Sequence, residues 1–121
     1  MQTNHFLRML DTELTCCIDD LLDFEKLMTD RLGSMEITNY VFRENDALLK
    51  REAAGVTEIQ KKVRAMKHGD FTSVEEIVEA VRNATRSAII EHELPEAVFP
   101  LMERRIQKIK RFIESDSAEL V

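Results

Sequence analysis

An apolar stripe with heptad spacing runs through the first quarter of the chain. Its members alternate in steps of three and four, which places them on one side of an α-helix. The stripe consists of Leu7, Leu10, Leu14, Cys17, Leu21, Phe24 and Met28. Because such a stripe is stable only when another helix covers it, this feature predicts an all-α fold in which long helices pack against one another.

The composition favours the same fold class. The 121 residues include only three glycines and two prolines, so few positions interrupt a helix. A chain of this length typically forms one domain. We therefore predict a single domain over residues 1–121, an antiparallel helical bundle with a long N-terminal helical hairpin and one or two further helices.

Turn signals divide the chain into four predicted helices. Gly33 is a candidate helix terminus, Gly69 lies in a second turn, and residues 73–76 (SVEE) read as a capping box. Pro95 disfavours helical geometry in the residue before it. The predicted helices cover about 3–32, 35–67, 73–93 and 95–114. The last two are either separate helices or one helix kinked at the proline.

Charge is distributed unevenly along the chain. The net charge is −6, and the segments 1–33, 34–68, 69–96 and 97–121 alternate between acidic and basic. In an up-down bundle this alternation brings acidic helices beside basic ones. The negative total argues against nucleic-acid binding. The N-terminus lacks the features of a signal peptide, and no apolar run is long enough to insert into a membrane. We expect a cytoplasmic protein.

No residue pattern predicts catalysis or metal binding. The best metal candidate is the run around His92, with Glu91 and Glu93 beside it, but the chain contains no Glu-x-x-His pair of the kind that di-iron bundles use. The adjacent Cys16 and Cys17 lack Cys-x-x-Cys spacing, and we interpret both as small apolar side chains that are buried or half-buried in a protein of a reducing compartment. We therefore predict no enzyme activity, cofactor, metal or small-molecule substrate.

The last predicted helix carries more apolar residues than one packing seam requires. They form a wide strip, for which a four-helix bundle offers cover on one side only. We predict that the strip binds a partner, either the amphipathic helix of another protein or a second copy of the chain. The predicted partner-binding residues are Val98, Met102, Ile106, Ile109 and Phe112.

Four segments carry a resemblance to a known family. They are residues 7–14 (LRMLDTEL), 21–28 (LLDFEKLM), 43–50 (RENDALLK) and 104–113 (RRIQKIKRFI). In their leucine and glutamate runs, and in the charged stretch that ends in a Leu-Leu pair, they resemble the FlgN-type flagellar export chaperones and, more loosely, the FliT-type relatives. Those families consist of small, acidic, cytoplasmic helical proteins.

The resemblance implies a function. A FlgN-like chaperone binds the C-terminal amphipathic helix of a hook–filament junction protein and keeps it competent for export, which is recognition of a helix in a groove. The alternative is a structural coiled-coil or adaptor bundle that acts through homo- or hetero-oligomerisation.

Overall fold

The protein is an antiparallel four-helix bundle. The computed structural model describes residues 2–119, with side chains for residues 2–115, so residues 1, 120 and 121 of the predicted domain lie outside it. The helices are α1 (Gln2–Gly33), α2 (Asn39–Ala65), α3 (Val74–Glu91) and α4 (Val98–Glu119), with a short 3-10 helix at His68–Asp70. The described residues contain no strand. The predicted fold class is confirmed.

Each helix packs on its two neighbours in an up-down-up-down order. The direction of α1 and α2 follows from two ion pairs, Asp11–Arg64 and Glu25–Lys50, because the residue number rises along α1 while it falls along α2. The core is continuous across all four helices. Its largest fully buried side chains are Phe6, Leu10, Leu14, Val56, Ile59, Ile77, Val78, Val81, Val98, Met102, Ile106 and Ile109.

The connection between α1 and α2 differs from the predicted two-residue turn. Gly33 remains helical, and Met35 adopts the left-handed conformation instead, with φ 63°. The next residue, Glu36, donates its N–H to the carbonyl of Arg31, the hydrogen bond that closes a Schellman motif. Thr38 then caps α2 by accepting from the N–H of Val41. The second helix therefore begins at Asn39 rather than near residue 35.

The helix start predicted at residues 73–76 is present in a modified form. Ser73 Oγ accepts from the N–H of Glu76 at 3.3 Å, as the capping box requires. The carboxylate of Glu76 reaches back to the N–H of Thr72, one residue before the cap, at 3.0 Å. This hydrogen bond lowers the pKa of Glu76.

α3 and α4 are two separate helices, which settles the alternative left open by the sequence. Glu93 has a φ of 50° and reverses the chain, after which Leu94 donates its N–H to the carbonyl of Ile89. Pro95 lies in the connection, and Pro100 lies in the first turn of α4, where a missing N–H costs no helical hydrogen bond.

Gly55 in α2 makes room for the connection between α3 and α4. A Cβ at this position would lie 2.9 Å from Cδ1 of Leu94. Gly55 is buried and helical, so its helix-propensity cost of about 1 kcal/mol is accepted for this close packing. The neighbour is a loop side chain rather than the backbone of another helix.

The alternation of charge along the chain produces ion pairs between neighbouring helices. Arg64 of α2 lies 2.7 Å from Asp11 of α1, and Lys108 of α4 lies 2.8 Å from Glu13 of α1. Lys108 is the main reason that the pKa of Glu13 is lowered. Exposed pairs of this kind contribute only a few tenths of a kcal/mol each, so they select neighbours more than they stabilise the bundle.

One ion pair runs against the predicted direction. Arg82 of the acidic α3 binds Glu103 of the basic α4, with an Nε–Oε1 distance of 2.6 Å. A second nitrogen of Arg82 donates to the other carboxylate oxygen of Glu103, so the ion pair is bidentate. About three quarters of each side chain is shielded from solvent. The contact lowers the pKa of Glu103 and raises that of Arg82.

Candidate functional site

The α1–α2 hairpin extends beyond the other two helices. Leu101, in the first turns of α4, lies beside Cys17 and Leu21 of α1, and Leu94 before α4 contacts Gly55 of α2. From residue 22 to residue 54 the chain is a two-helix hairpin in which only Met28 is buried. We call residues 22–54 the projecting hairpin.

The two core stripes continue onto the projecting hairpin without the helices that cover them lower down. On α2 the stripe runs through residues 41, 45, 48, 52, 55 and 59 in steps of four and three, which places all six on one face. Ile59 is fully buried, whereas Leu48 is 46% exposed and Val41 39%. On α1, Leu14 is fully buried and Phe24 of the same stripe is 48% exposed.

Five apolar side chains that are not buried lie along these stripes or directly beside them. We call this surface the open face, and it comprises Leu21, Phe24, Val41 and Leu48 of the two stripes and Leu49 beside the α2 stripe. Asn45 lies on the α2 stripe between them, but its side-chain amide donates to the carbonyl of Val41 at 2.8 Å. Because Asn45 satisfies this donor within its own helix, it leaves the open face largely apolar.

A recess of about 310 Å³ marks the base of the open face, where α4 begins. Apolar side chains form most of its wall, and two carboxylates and one guanidinium stand among them. Its lining consists of Cys17, Asp20, Leu21, Phe24, Leu49, Glu52, Leu101 and Arg105. An apolar recess with a few charged groups is the usual form of a site that accepts a side chain or a small ligand.

The charges around this recess are unequal. Arg105 donates to Glu13 at 3.3 Å, but Glu13 also binds Lys108 at 2.8 Å, and the buried Nε of Arg105 finds no hydrogen-bond partner among the described residues. Asp20 and Glu52 form no ion pair with any described side chain. Burial raises the pKa of the Cys17 thiol, Arg105 lowers it, and the two unpaired carboxylates raise it further. The base of the open face is therefore apolar, with two carboxylates and one guanidinium at its border.

The strip predicted on the last helix is not an open surface. Val98, Met102, Ile106 and Ile109 are each at most 1% exposed, because α4 packs against α1 and α3 along this side. Only Phe112 is exposed, at 52%, and its ring meets the edge of the His5 ring at 6.3 Å. The expectation of an uncovered strip is corrected: four of its five residues are core.

The lengths of the predicted helices could have indicated the open face, but the prediction was based on the width of the apolar stripe on α4 instead. The α1 stripe continues past Cys17 to Phe24 and Met28, in a helix of 32 residues. α3 has only 18 residues, about 21 Å shorter at 1.5 Å per residue. A long hairpin beside a shorter helix must leave part of its seam uncovered. Comparing helix lengths, rather than stripe widths, identifies the exposed surface.

The remaining candidate residues lie apart. Both cysteines are free thiols, and Cys17 is buried as predicted, but the prediction for Cys16 is wrong because its side chain is exposed beside the packing seam. The Nε2 atom of His92 lies 3.7 Å from Glu58 and 3.9 Å from Glu91, an arrangement that holds an ion pair when the imidazole is protonated. Among the described residues no group of three or more histidine, cysteine or acidic side chains is arranged to hold a metal ion.

Comparisons of the chain with protein-family models, with curated proteins and with solved structures give no significant match. The resemblance to flagellar export chaperones therefore stays a prediction. Within residues 2–119, no helix combines the length and the apolar character that crossing a bilayer requires.

Proposed function

We propose that this protein is a cytoplasmic chaperone of the flagellar export type, which binds the C-terminal amphipathic helix of a hook–filament junction protein. It acts by binding rather than by catalysis. The observation that supports the proposal is the open face, because apolar side chains such as Phe24 and Leu48 are about half exposed there on two adjacent helices. An incoming amphipathic helix buries its apolar side between them in the way that α3 and α4 do lower in the bundle.

The proposed binding surface differs from the one suggested by the sequence. The four buried residues of α4 contribute to the stability of the scaffold, and the open face supplies the contact with the client. Leu101 connects the two regions, because it packs against the core and also lines the recess at the base of the open face. A client helix seated there contacts α1, α2 and the first turns of α4.

The alternative function, an oligomerising adaptor, would use the same open face. Two projecting hairpins contain four helices, which is the number that a bundle needs to cover all its stripes. The client and the second copy therefore compete as occupants of one surface.

The test measures binding of the C-terminal segment of the hook–filament junction protein from the same organism, by isothermal titration calorimetry. We expect the wild-type chain to bind it and Leu48→Glu to weaken binding at least about tenfold, because the carboxylate must lose its hydration in the apolar contact. Ile90→Glu is the matched control, since Ile90 is an apolar side chain of α3 that is 79% exposed. It should bind as the wild type does.

Circular dichroism of both variants checks the fold, because neither substitution lies in the core. Failure of the wild type to bind the segment contradicts the proposed client. Equal weakening by Leu48→Glu and Ile90→Glu contradicts the proposed surface.

A further inference from the structure

The occupant of the open face must match its charge as well as its shape. Asp20 and Glu52 line the recess at its base beside Phe24 and Leu49. Neither carboxylate forms an ion pair with a described side chain, so both are available to a cationic partner. The recess-lining cation, Arg105, shares the carboxylate of Glu13 with Lys108. The two carboxylates therefore outnumber the one guanidinium in the lining, and a partner meets an apolar surface with a small excess of negative charge.

A second copy of the chain fits this surface poorly. Closed dimers bring the same patch of both subunits together across a two-fold axis. A two-fold contact centred on the recess brings the carboxylates of Asp20 and Glu52 in one subunit towards those of the other, and like charges brought close across an interface disfavour association. A partner with basic residues beside its apolar stripe gains attraction from the same groups.

The length of the uncovered surface sets the length of the partner helix. On α2 it extends from Asn39, where the helix begins, to residue 54, just before Gly55 meets Leu94. At 1.5 Å per residue, sixteen residues span about 24 Å. A helix of about four turns covers this distance and presents apolar residues at heptad spacing along it.

We infer that the occupant of the open face is an amphipathic helix of about four turns whose apolar stripe is bordered by lysine or arginine, and not a second copy of this chain. This inference rests on the proposed function, since it specifies the chemistry of the helix that the hairpin binds. The basic side chains pair with Asp20 and Glu52 while the apolar stripe covers Phe24 and Leu48.

Two synthetic helical peptides with the same apolar stripe test this inference. One carries lysine at the bordering positions and the other carries glutamate, and fluorescence anisotropy measures their binding to the full chain. We expect the lysine peptide to bind at least about tenfold more tightly at low salt. The difference should shrink in about 1 M salt, where charges are screened beyond about 3 Å.

Charge-neutralising variants locate the effect. Asp20→Asn/Glu52→Gln should weaken binding of the lysine peptide about fivefold, as expected for the loss of two partly exposed ion pairs. Asp70→Asn/Glu114→Gln is the matched control, because it removes two negative charges from exposed positions far from the hairpin. This control should bind the lysine peptide as the wild type does.

The outcomes separate the inference from the proposed function. Equal affinity for the two peptides, or tighter binding of the glutamate peptide, overturns the inference and leaves helix binding by the hairpin intact. Binding of neither peptide overturns both. A wild-type dimer in sedimentation equilibrium that Leu48→Glu converts to a monomer identifies a second copy as the occupant, and also overturns the inference.

Discussion

Substitution of Ile109 by alanine tests whether the apolar strip of α4 belongs to the core. Ile109 is 1% exposed, and the substitution removes three carbon groups from a packed interior. At about 0.8 kcal/mol for each buried carbon, the transfer contribution is about 2.4 kcal/mol. The cavity left behind raises the total to about 3.5 kcal/mol, within the range measured for such truncations.

Phe112→Ala is the matched comparison, because Phe112 was predicted to lie on the same strip but is 52% exposed. Truncation there removes about half of a buried phenylalanine and the edge contact with His5, at a cost of about 1–2 kcal/mol. The larger side chain should therefore have the smaller effect. Side-chain size alone would predict a larger loss of stability for Phe112→Ala than for Ile109→Ala, so the opposite order tests which of the two residues is buried.

Urea unfolding, followed by the helical circular dichroism signal, measures both losses. In thermal unfolding the same loss of about 3.5 kcal/mol corresponds to a fall of about 14 °C in Tm, from an unfolding entropy of about 2.1 cal/mol/K per residue in a chain of 121 residues. A loss below about 1 kcal/mol for Ile109→Ala, or one no larger than that of Phe112→Ala, would refute the assignment of this strip to the core. The open-surface interpretation of α4 would then be correct.

Three further predictions follow from the packing and the ion pairs. Leu14→Ala should lower the free energy of unfolding in urea by about 2–5 kcal/mol, and Leu21→Ala should lower it clearly less. The reason is that Leu14 is fully buried, whereas Leu21 lies half-buried at the base of the open face. Equal losses of stability would mean that the hairpin seam is covered. Gly55→Ala should be nearly neutral in the wild type, because the gain in helix propensity is offset by the 2.9 Å contact of the new Cβ with Leu94. In a Leu94→Ala background this contact is gone, and the same substitution should stabilise the fold by up to about 1 kcal/mol. A double-mutant cycle without coupling would contradict this packing. The ion pair with Arg82 lowers the pKa of Glu103 from its ordinary value in the folded chain. The pair therefore stabilises the protein at a pH above the pKa of Glu103 in the unfolded chain, and this stabilisation is lost as the pH falls through the folded-state pKa. Glu103→Gln should reduce the fall in stability on acidification, and an unchanged acid profile would argue against the pair.

The helix bounds show how far local patterns carry the fold. The predicted first helix at about 3–32 agrees with α1 (Gln2–Gly33), because heptad periodicity and a following turn are properties of neighbouring residues. The start of α2 was misplaced by about four residues. Met35 takes a left-handed conformation that side-chain type does not favour, so no glycine marked the true turn. Likewise, the proline at 95 could not distinguish a kink from a break, and Glu93 decided it by reversing the chain.

The sequence by itself determined that the chain forms long amphipathic helices, which residues lie on their apolar sides, and that neighbouring helices alternate in charge. It could not determine which apolar sides are covered, because cover depends on where the other helices end. α4 packs along most of its strip and buries Met102, whereas the longer α1–α2 hairpin passes beyond α3 and α4 and leaves Phe24 and Leu48 exposed. An apolar stripe has the same residue pattern whether it becomes core or surface. Its burial depends on the length and position of the helices that pack against it, because only their contact removes its side chains from water.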